Sequence, residues 1–303
     1  MRVFVTGASG HIGSALVPEL LNAGHEVVGL ARSGVSAAAL AAAGADVRRG
    51  DLDDLDGLGA AAAAADGGVH LAFKHEDMRA GDFVGAVAAD LRAVDTLGDA
   101  LAGTGKPLVG TSGTLLLAHA GLGRVGTEAD TLEAGPRIDA ENAVVALAGR
   151  GVRSSVVRLP PTVHSSLDHH GFVPGLIAIA REKGTAAYEG DGSNRWPAGH
   201  TLDAAHLYRL ALEAAPAGSR LHAVGDEGVP FREIAEVIGR HLNVPVVSIP
   251  PEQADAHFGY LGSLVSLDNP TSSLQTQELL GWKPIHPGLI EDLDQGHYFG
   301  NAT

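Results

Sequence analysis

The sequence predicts an α/β protein: a doubly wound parallel sheet with a smaller C-terminal α/β lobe. Three observations carry this. Strand-like and helix-like segments alternate from the first residues to about position 159, the rhythm of right-handed crossovers on a parallel sheet. A glycine-spaced turn joins the first strand to the first helix. The 303 residues suffice for one large α/β domain and an appendage.

Taken in order, strands are expected at 3–6, a short apolar run, and at 26–31, 45–48, 69–73, 108–111 and 154–159. Helices are expected at 11–23, 37–43, 55–65, 82–102 and 137–149. Ile12, Leu16, Leu20 and Leu21 give the first an apolar face, and the alanine runs in the second and third favour helix. After Leu159-Pro160-Pro161 the rhythm breaks. A histidine-rich loop (164–171), a helix (172–183) and a glycine-rich irregular stretch (190–199) follow. Then come a helix at 203–214, a strand near 221–224, a helix at 230–242 with Pro230 in its first position, and a strand at 244–249. The expected division is a dinucleotide-binding domain over 1–165 and a substrate lobe over 166–303. The segments 199–215 and 244–249 are expected to return to the first domain.

Composition narrows the function classes. There is no cysteine, which excludes disulfides, thiolate metal sites and a cysteine nucleophile. A net charge of −15 disfavours nucleic acid and anionic membranes as partners. No apolar stretch approaches the ~18 residues of a membrane span, and the chain opens directly on a strand rather than a signal peptide. A cytoplasmic protein acting on a small molecule is expected.

The strongest chemical signal is Val5-Thr6-Gly7-Ala8-Ser9-Gly10-His11-Ile12-Gly13. Gly7 suits a tight turn, Gly10 a close approach of backbone to a pyrophosphate, and Gly13 close packing of helix on sheet. The helix N-terminus offers free N–H groups to the phosphates. This is the Rossmann-type dinucleotide signature. At the end of the second strand, NAD-binding domains usually place an acid; here Arg32 and Ser33 stand instead, which suits the 2′-phosphate of NADP(H). Asp51 follows the third strand and reads either as an adenine contact or as a plain turn residue.

The glycine spacing, Gly50-Asp51-Leu52, His70-Leu71-Ala72, Arg158-Leu159-Pro160 and the C-terminal Leu279-Leu280-Gly281-Trp282-Lys283-Pro284 together resemble the extended short-chain dehydrogenase/reductases, the NAD-dependent epimerase/dehydratase family. The resemblance runs along nearly the whole chain. It implies a cofactor spanning Gly7, Ser9, Gly10, His11, Ile12, Gly13, Arg32, Ser33, Asp51, Leu52, Leu71, Ala72, Phe73, Lys74, Thr111 and Pro160, Pro161, Thr162 and Val163. It also implies a substrate between this site and the second lobe, and a homodimer formed by the helices at 82–102 and 137–149.

The sequence departs from that family at the catalytic residues. Arg137 falls where a tyrosine belongs, Glu141 where a lysine belongs, and Gly113 at the expected hydroxyl position. This resembles the atypical branch that keeps the cofactor site without the usual triad. Arg137 and Glu141, four apart, read first as a surface ion pair. Replacement catalytic groups are expected from Ser112, Thr114, His164 and Lys74, with Arg137, Arg195 and Trp196 lining the substrate pocket. Asp168, His169 and His170 lack the spacing of a metal site, and no metal is expected. The resulting expectation is an NADP(H)-dependent oxidoreductase acting on a small carbonyl, alcohol or activated double bond. A non-catalytic NADP-binding redox sensor and a nucleotide-sugar epimerase or dehydratase are the alternatives.

Overall fold

A computed structural model describes residues 1–300. The large sheet has seven strands: β1 (Arg2–Thr6), β2 (Glu26–Ala31), β3 (Asp46–Arg49), β4 (Gly67–His70), β5 (Pro107–Gly113), β6 (Arg153–Leu159) and β10 (Ser219–His222). Their order is β10-β6-β5-β4-β1-β2-β3, and every pairing is parallel. The chain therefore reverses its direction of winding between β1 and β4, the crevice where α/β sheets bind ligands.

Helices cover both faces, as a fully parallel sheet requires. They are α1 (His11–Asn22), α2 (Gly34–Ala42), α3 (Leu55–Ala64), the short α4 (His75–Arg79), α5 (Phe83–Leu101) and α6 (Ile138–Ala146). Beyond them lie α7 (Phe172–Lys183), α8 (Thr201–Ala214) and α9 (Phe231–Leu242). Leu16, Val17 and Leu20 of α1 meet Leu207, Ala211 and Leu212 of α8 on one face of the sheet. On the other, Leu58 of α3 packs with Leu97 and Leu101 of α5 against Phe4 and Leu108. Each fully buried leucine contributes roughly 1.5–3 kcal/mol, so aliphatic residues make a core with few aromatics.

The second lobe has its own core of Trp196, Phe231, Ile234, Phe258, Leu261 and Leu289. Two small sheets frame it. One has the order β11-β9-β7, from β11 (Asp226–Pro230), β9 (Arg195–His200) and β7 (Thr162–His164); the other pairs β12 (Val246–Ile249) with β8 (Ala186–Glu189).

Three sequence expectations change. Residues 190–199 are not all irregular: 195–200 form the central strand of the lobe's sheet, since Trp196 and Ala198 have buried partners despite the glycines around them. Residues 244–249 do not return to the large sheet; β12 pairs with β8, and the strand that does return is β10, beside β6. Pro230 lies one residue before α9, as its N-cap with φ −56° and ψ 130°.

Candidate active site

The glycine turn makes a cradle that side chains would fill. Gly7 has φ +67°, and a Cβ on it would lie 2.8 Å from the Ala72 nitrogen, two residues beyond β4. A Cβ on Gly13 would lie 2.2 Å from the Gly7 carbonyl oxygen. Gly10 donates its N–H to that same carbonyl at 2.9 Å. It caps α1 without a side-chain acceptor, so the first-turn amides have no side chain closing over them. Ser9 and Gly10 are exposed at the lip, while His11 and Ile12 are half-buried. This geometry fits a pyrophosphate.

At the far end of the cradle, Arg32 is open, with 65% of its side chain exposed and only a loose contact to Glu76 at 3.4 Å. Ser33 caps α2, accepting from the Ser36 amide at 3.0 Å. Arg49, at the end of β3, donates to the Arg32 carbonyl at 3.1 Å and also to the Ser33 carbonyl. Two guanidiniums therefore flank one helix N-terminus. Sequence reading missed Arg49, although β3 lies beside β2 and the pair Arg48-Arg49 ends it. Asp51 turns the chain, its Oδ1 accepting from the Asp53 and Asp54 amides at 2.9 and 3.2 Å. Leu52 is buried in the core below.

Between β4 and β5 the cradle meets the remainder of the site. The Leu71 amide donates to the Thr6 carbonyl at 3.2 Å, and the Ala72 amide to the Thr6 hydroxyl at 3.3 Å. Phe73 follows, with the Arg137 guanidinium 4.1 Å above its ring centroid. Arg137 also donates weakly to the Thr111 carbonyl at 3.4 Å. The Thr111 hydroxyl donates to the His70 carbonyl at 2.7 Å and meets the Tyr208 hydroxyl at 2.8 Å. Tyr208 is fully buried, and burial pushes its phenol well above the usual range.

The expected Arg137–Glu141 surface pair does not form. Glu141 is 4% exposed and turns inward, holding Arg158 at 2.6 and 3.0 Å and Arg220 at 2.8 Å. Burial, the largest single influence, would raise its carboxyl pKa, but the contacts with Arg158 and Arg220 together leave it depressed. Arg137 stays outside at the head of α6, in the left-handed region with φ 64°.

Several expected catalytic groups are also placed elsewhere. His164 is fully buried, its Nδ1 on Asp292 at 2.9 Å, because β7 carries it into the second lobe's sheet rather than along the strand ends. Thr114 is fully buried and accepts from the Asn269 side chain at 3.2 Å. Ser112, at 4% exposure, points into the interior. The Lys74 ammonium is held by Asp53 at 2.6 Å and Asp77 at 3.7 Å. The Asp53 bond raises its pKa, the wrong direction for a proton donor. Trp196 is a core residue wedged against Phe231, and Arg195 is clasped by Asp268 at 2.8 and 3.0 Å. Pro160 and Thr162 are buried at the lobe junction, with the Thr162 hydroxyl on the Pro197 carbonyl at 2.8 Å; Pro161 and Val163 are half-buried.

Histidines gather where the lobes meet. His11 bonds Thr201 at 2.8 Å, and burial, then the neighbouring His169, lowers its pKa to about 4. Asp168 accepts from the Gly171 amide at 2.8 Å. His200, Asp203 and His286 bring potential metal-ligand atoms within 4.8 Å of one another. Those atoms already have partners: His200 Nδ1 accepts from the Leu202 amide at 3.2 Å, and Asp203 accepts from His286 Nδ1 at 2.8 Å and from the Ile285 amide at 3.2 Å. They staple residues 285–286 to α8. The groove between 225–230 and 288–291 carries Asp226, Glu227, Glu233 and Glu291, which would repel a dinucleotide.

A glycine cradle at the switch point of a seven-stranded parallel sheet, with a second lobe over the strand ends, defines a nicotinamide-dinucleotide-binding α/β fold. The profile of the NAD dependent epimerase/dehydratase family matches residues 3–116. The chain belongs to that family. An uncharacterized protein of Schizosaccharomyces pombe is 49% identical over 99% of this chain and 100% of its own length. One of Saccharomyces cerevisiae is 43% identical over 97% of this chain and 98% of its own. Among solved structures, DesIV, a dTDP-glucose 4,6-dehydratase from Streptomyces venezuelae with NAD and TYD bound, superposes with a TM-score of 0.77 at 22% identity, covering 99% of this chain and 98% of that one. MoeE5 in complex with UDP-glucuronic acid and NAD gives 0.74 at 22%, covering 97% of each. No helix among the described residues is long and apolar enough to cross a membrane.

Proposed function

We propose that the protein is an NADP(H)-dependent oxidoreductase of the atypical extended type, acting on a small carbonyl, alcohol or activated double bond without the family's tyrosine and lysine. The observation that carries this is the glycine cradle and the residues that flank it. The glycine cradle runs at one end to Arg32, Ser33 and Arg49, and at the other to Phe73, Thr111 and Arg137. The first end suits a 2′-phosphate, through two guanidiniums and a helix N-terminus. A bound nicotinamide supplies or accepts the hydride.

The chain's own residues orient and polarise. Gly7, Gly10 and Gly13 let the α1 amides reach the phosphates, and Leu71 to Phe73 floor the cradle. Arg137 replaces the tyrosine as the polar group facing the substrate. A guanidinium keeps its proton in proteins, so it holds and polarises an oxygen while the proton comes from water. Arg137 therefore takes the place of the buried Ser112, Thr114 and His164 as the polarising group, and Glu141 serves to fix Arg158 below the site rather than to hold a ribose. The protein works as a homodimer through the apolar stripe of exposed Val84 and half-buried Val87, Ala88 and Leu91 on α5.

The test is a screen for NADPH oxidation against aldehydes, ketones, imines and enones, followed by Arg137→Ala, Ser112→Ala and His164→Ala. The reading expects turnover with at least one class, lost in Arg137→Ala and kept in any Ser112 variant that folds. Tight cofactor binding with no turnover in any class favours the redox-sensor reading instead.

A further inference from the structure

Arg137 is held in a position that stability alone does not favour. Its backbone is left-handed, with φ 64° and ψ −20°, a region that disfavours a bulky residue. It is the N-cap of α6 and makes no capping bond, where a small acceptor such as Ser or Asp is preferred. It also sets a positive charge against the positive end of the helix dipole. The chain carries 36 acidic against 21 basic residues. Even so, no carboxylate among the described residues comes within 4 Å of this half-buried guanidinium. Its contacts are the Phe73 ring and one backbone carbonyl.

Two more basic residues, His75 and Arg79, lie on the neighbouring α4. The His75 ring lies 5.1 Å from that of Phe73, on the residue that opens α4. Arg79 closes α4 and donates only to the His170 carbonyl, at 3.1 Å. Arg137 and Arg79 both act to lower the His75 pKa, after burial itself. The nearby carboxylate, Asp90, faces inward onto His70 at 3.1 Å. Arg137 is thus a guanidinium without a carboxylate partner in a protein that is acidic overall, while α4 beside it carries Glu76 and Asp77 as well as Arg79.

We infer that the substrate of this site is an anion, and that Arg137, with Arg79 nearby, binds its carboxylate or phosphate group beside the reacting carbon. The anion supplies the counter-charge that Arg137 lacks, and a planar guanidinium can hold a carboxylate or phosphate by a two-point contact. This deepens the oxidoreductase reading and rests on it. The cofactor's phosphates and 2′-phosphate have their own partners at the α1 cradle and at Arg32, so the second anion is the substrate's.

The test uses the full-length protein saturated with NADP⁺, titrated calorimetrically with pyruvate, 2-oxoglutarate, methyl pyruvate and inorganic phosphate. The acids are expected to bind about tenfold or more tighter than the ester. Arg137→Gly and Arg137→Ala should each lose that margin, and Arg137→Lys should restore it only in part, since an ammonium cannot make the two-point contact. Preference for phosphate over the acids would assign the anion as phosphate. NADPH affinity should stay within about twofold in all three variants. Arg137→Gly should unfold no earlier than the wild type, because glycine adopts the left-handed backbone freely. Equal affinity for acid and ester, acid binding retained in Arg137→Gly, or no binding of any probe overturns the inference. Failure of the wild type to bind NADPH at all overturns the oxidoreductase reading instead, and the two failures are read in separate titrations.

Discussion

At the residue scale, the site divides into what glycine spacing reveals and what burial hides. Gly7, Gly10 and Gly13 are legible in the sequence because each has a geometric duty that only glycine performs. Gly13→Ala places a Cβ 2.2 Å from a backbone oxygen. It is expected to cost about 1–3 kcal/mol of stability and to abolish measurable cofactor binding in a fluorescence titration. The catalytic side was far less legible. Ser112, Thr114 and His164 lie close in sequence to strand ends, and sequence gives no sign that their side chains turn inward. Glu141 shows the same limit: four residues from Arg137 it reads as half of a surface pair, yet its partners Arg158 and Arg220 come from β6 and β10. Glu141→Ala would leave Arg158 buried and unpaired, at about 3–5 kcal/mol. Urea denaturation checks this; a loss below 1 kcal/mol would show that the pair is not the anchor described.

At the scale of elements, hydrophobic periodicity placed the strands of the first domain to within a few residues, because a buried parallel strand is an unbroken apolar run. It failed at β9, where Pro197, Gly199 and His200 disguise a strand, and at 244–249, where short apolar runs do not say which sheet they join. The histidines at the lobe junction come from four different segments, so only the fold assembles them. That assembly has a pH consequence. Burial, then neighbouring histidines, lower the pKa of His11 and of His200 from 6.5 to about 4. Both are neutral in the folded protein, while the unfolded chain takes up protons below about pH 6.5. Their contribution is therefore complete above pH 6.5 and lost as pH falls toward 4. Urea stability should drop by about 2–4 kcal/mol between pH 7 and pH 4.5, and His200→Gln should flatten the slope. A profile level across that range would contradict the assignment.

At the scale of the whole molecule, a seven-stranded parallel sheet carries the glycine cradle, and a second lobe with its own core and two small sheets follows it. The proposed pairing of α5 across a two-fold axis predicts a dimer by light scattering at micromolar concentration. Val84→Asp should convert it to a monomer, since Val84 is 80% exposed in a single chain and a charge there would be buried unpaired. A wild-type monomer would rule the pairing out. The central claim is that this cradle takes NADP(H), and the most direct test is calorimetric titration of NADPH and NADH into the wild type and Arg32→Ala. Charge-assisted contacts to a 2′-phosphate contribute roughly 1.5–3 kcal/mol, so NADPH should bind about ten- to a hundredfold tighter than NADH, with most of the difference gone in Arg32→Ala. Equal affinity for the two cofactors, or an undiminished NADPH preference in Arg32→Ala, would contradict the account.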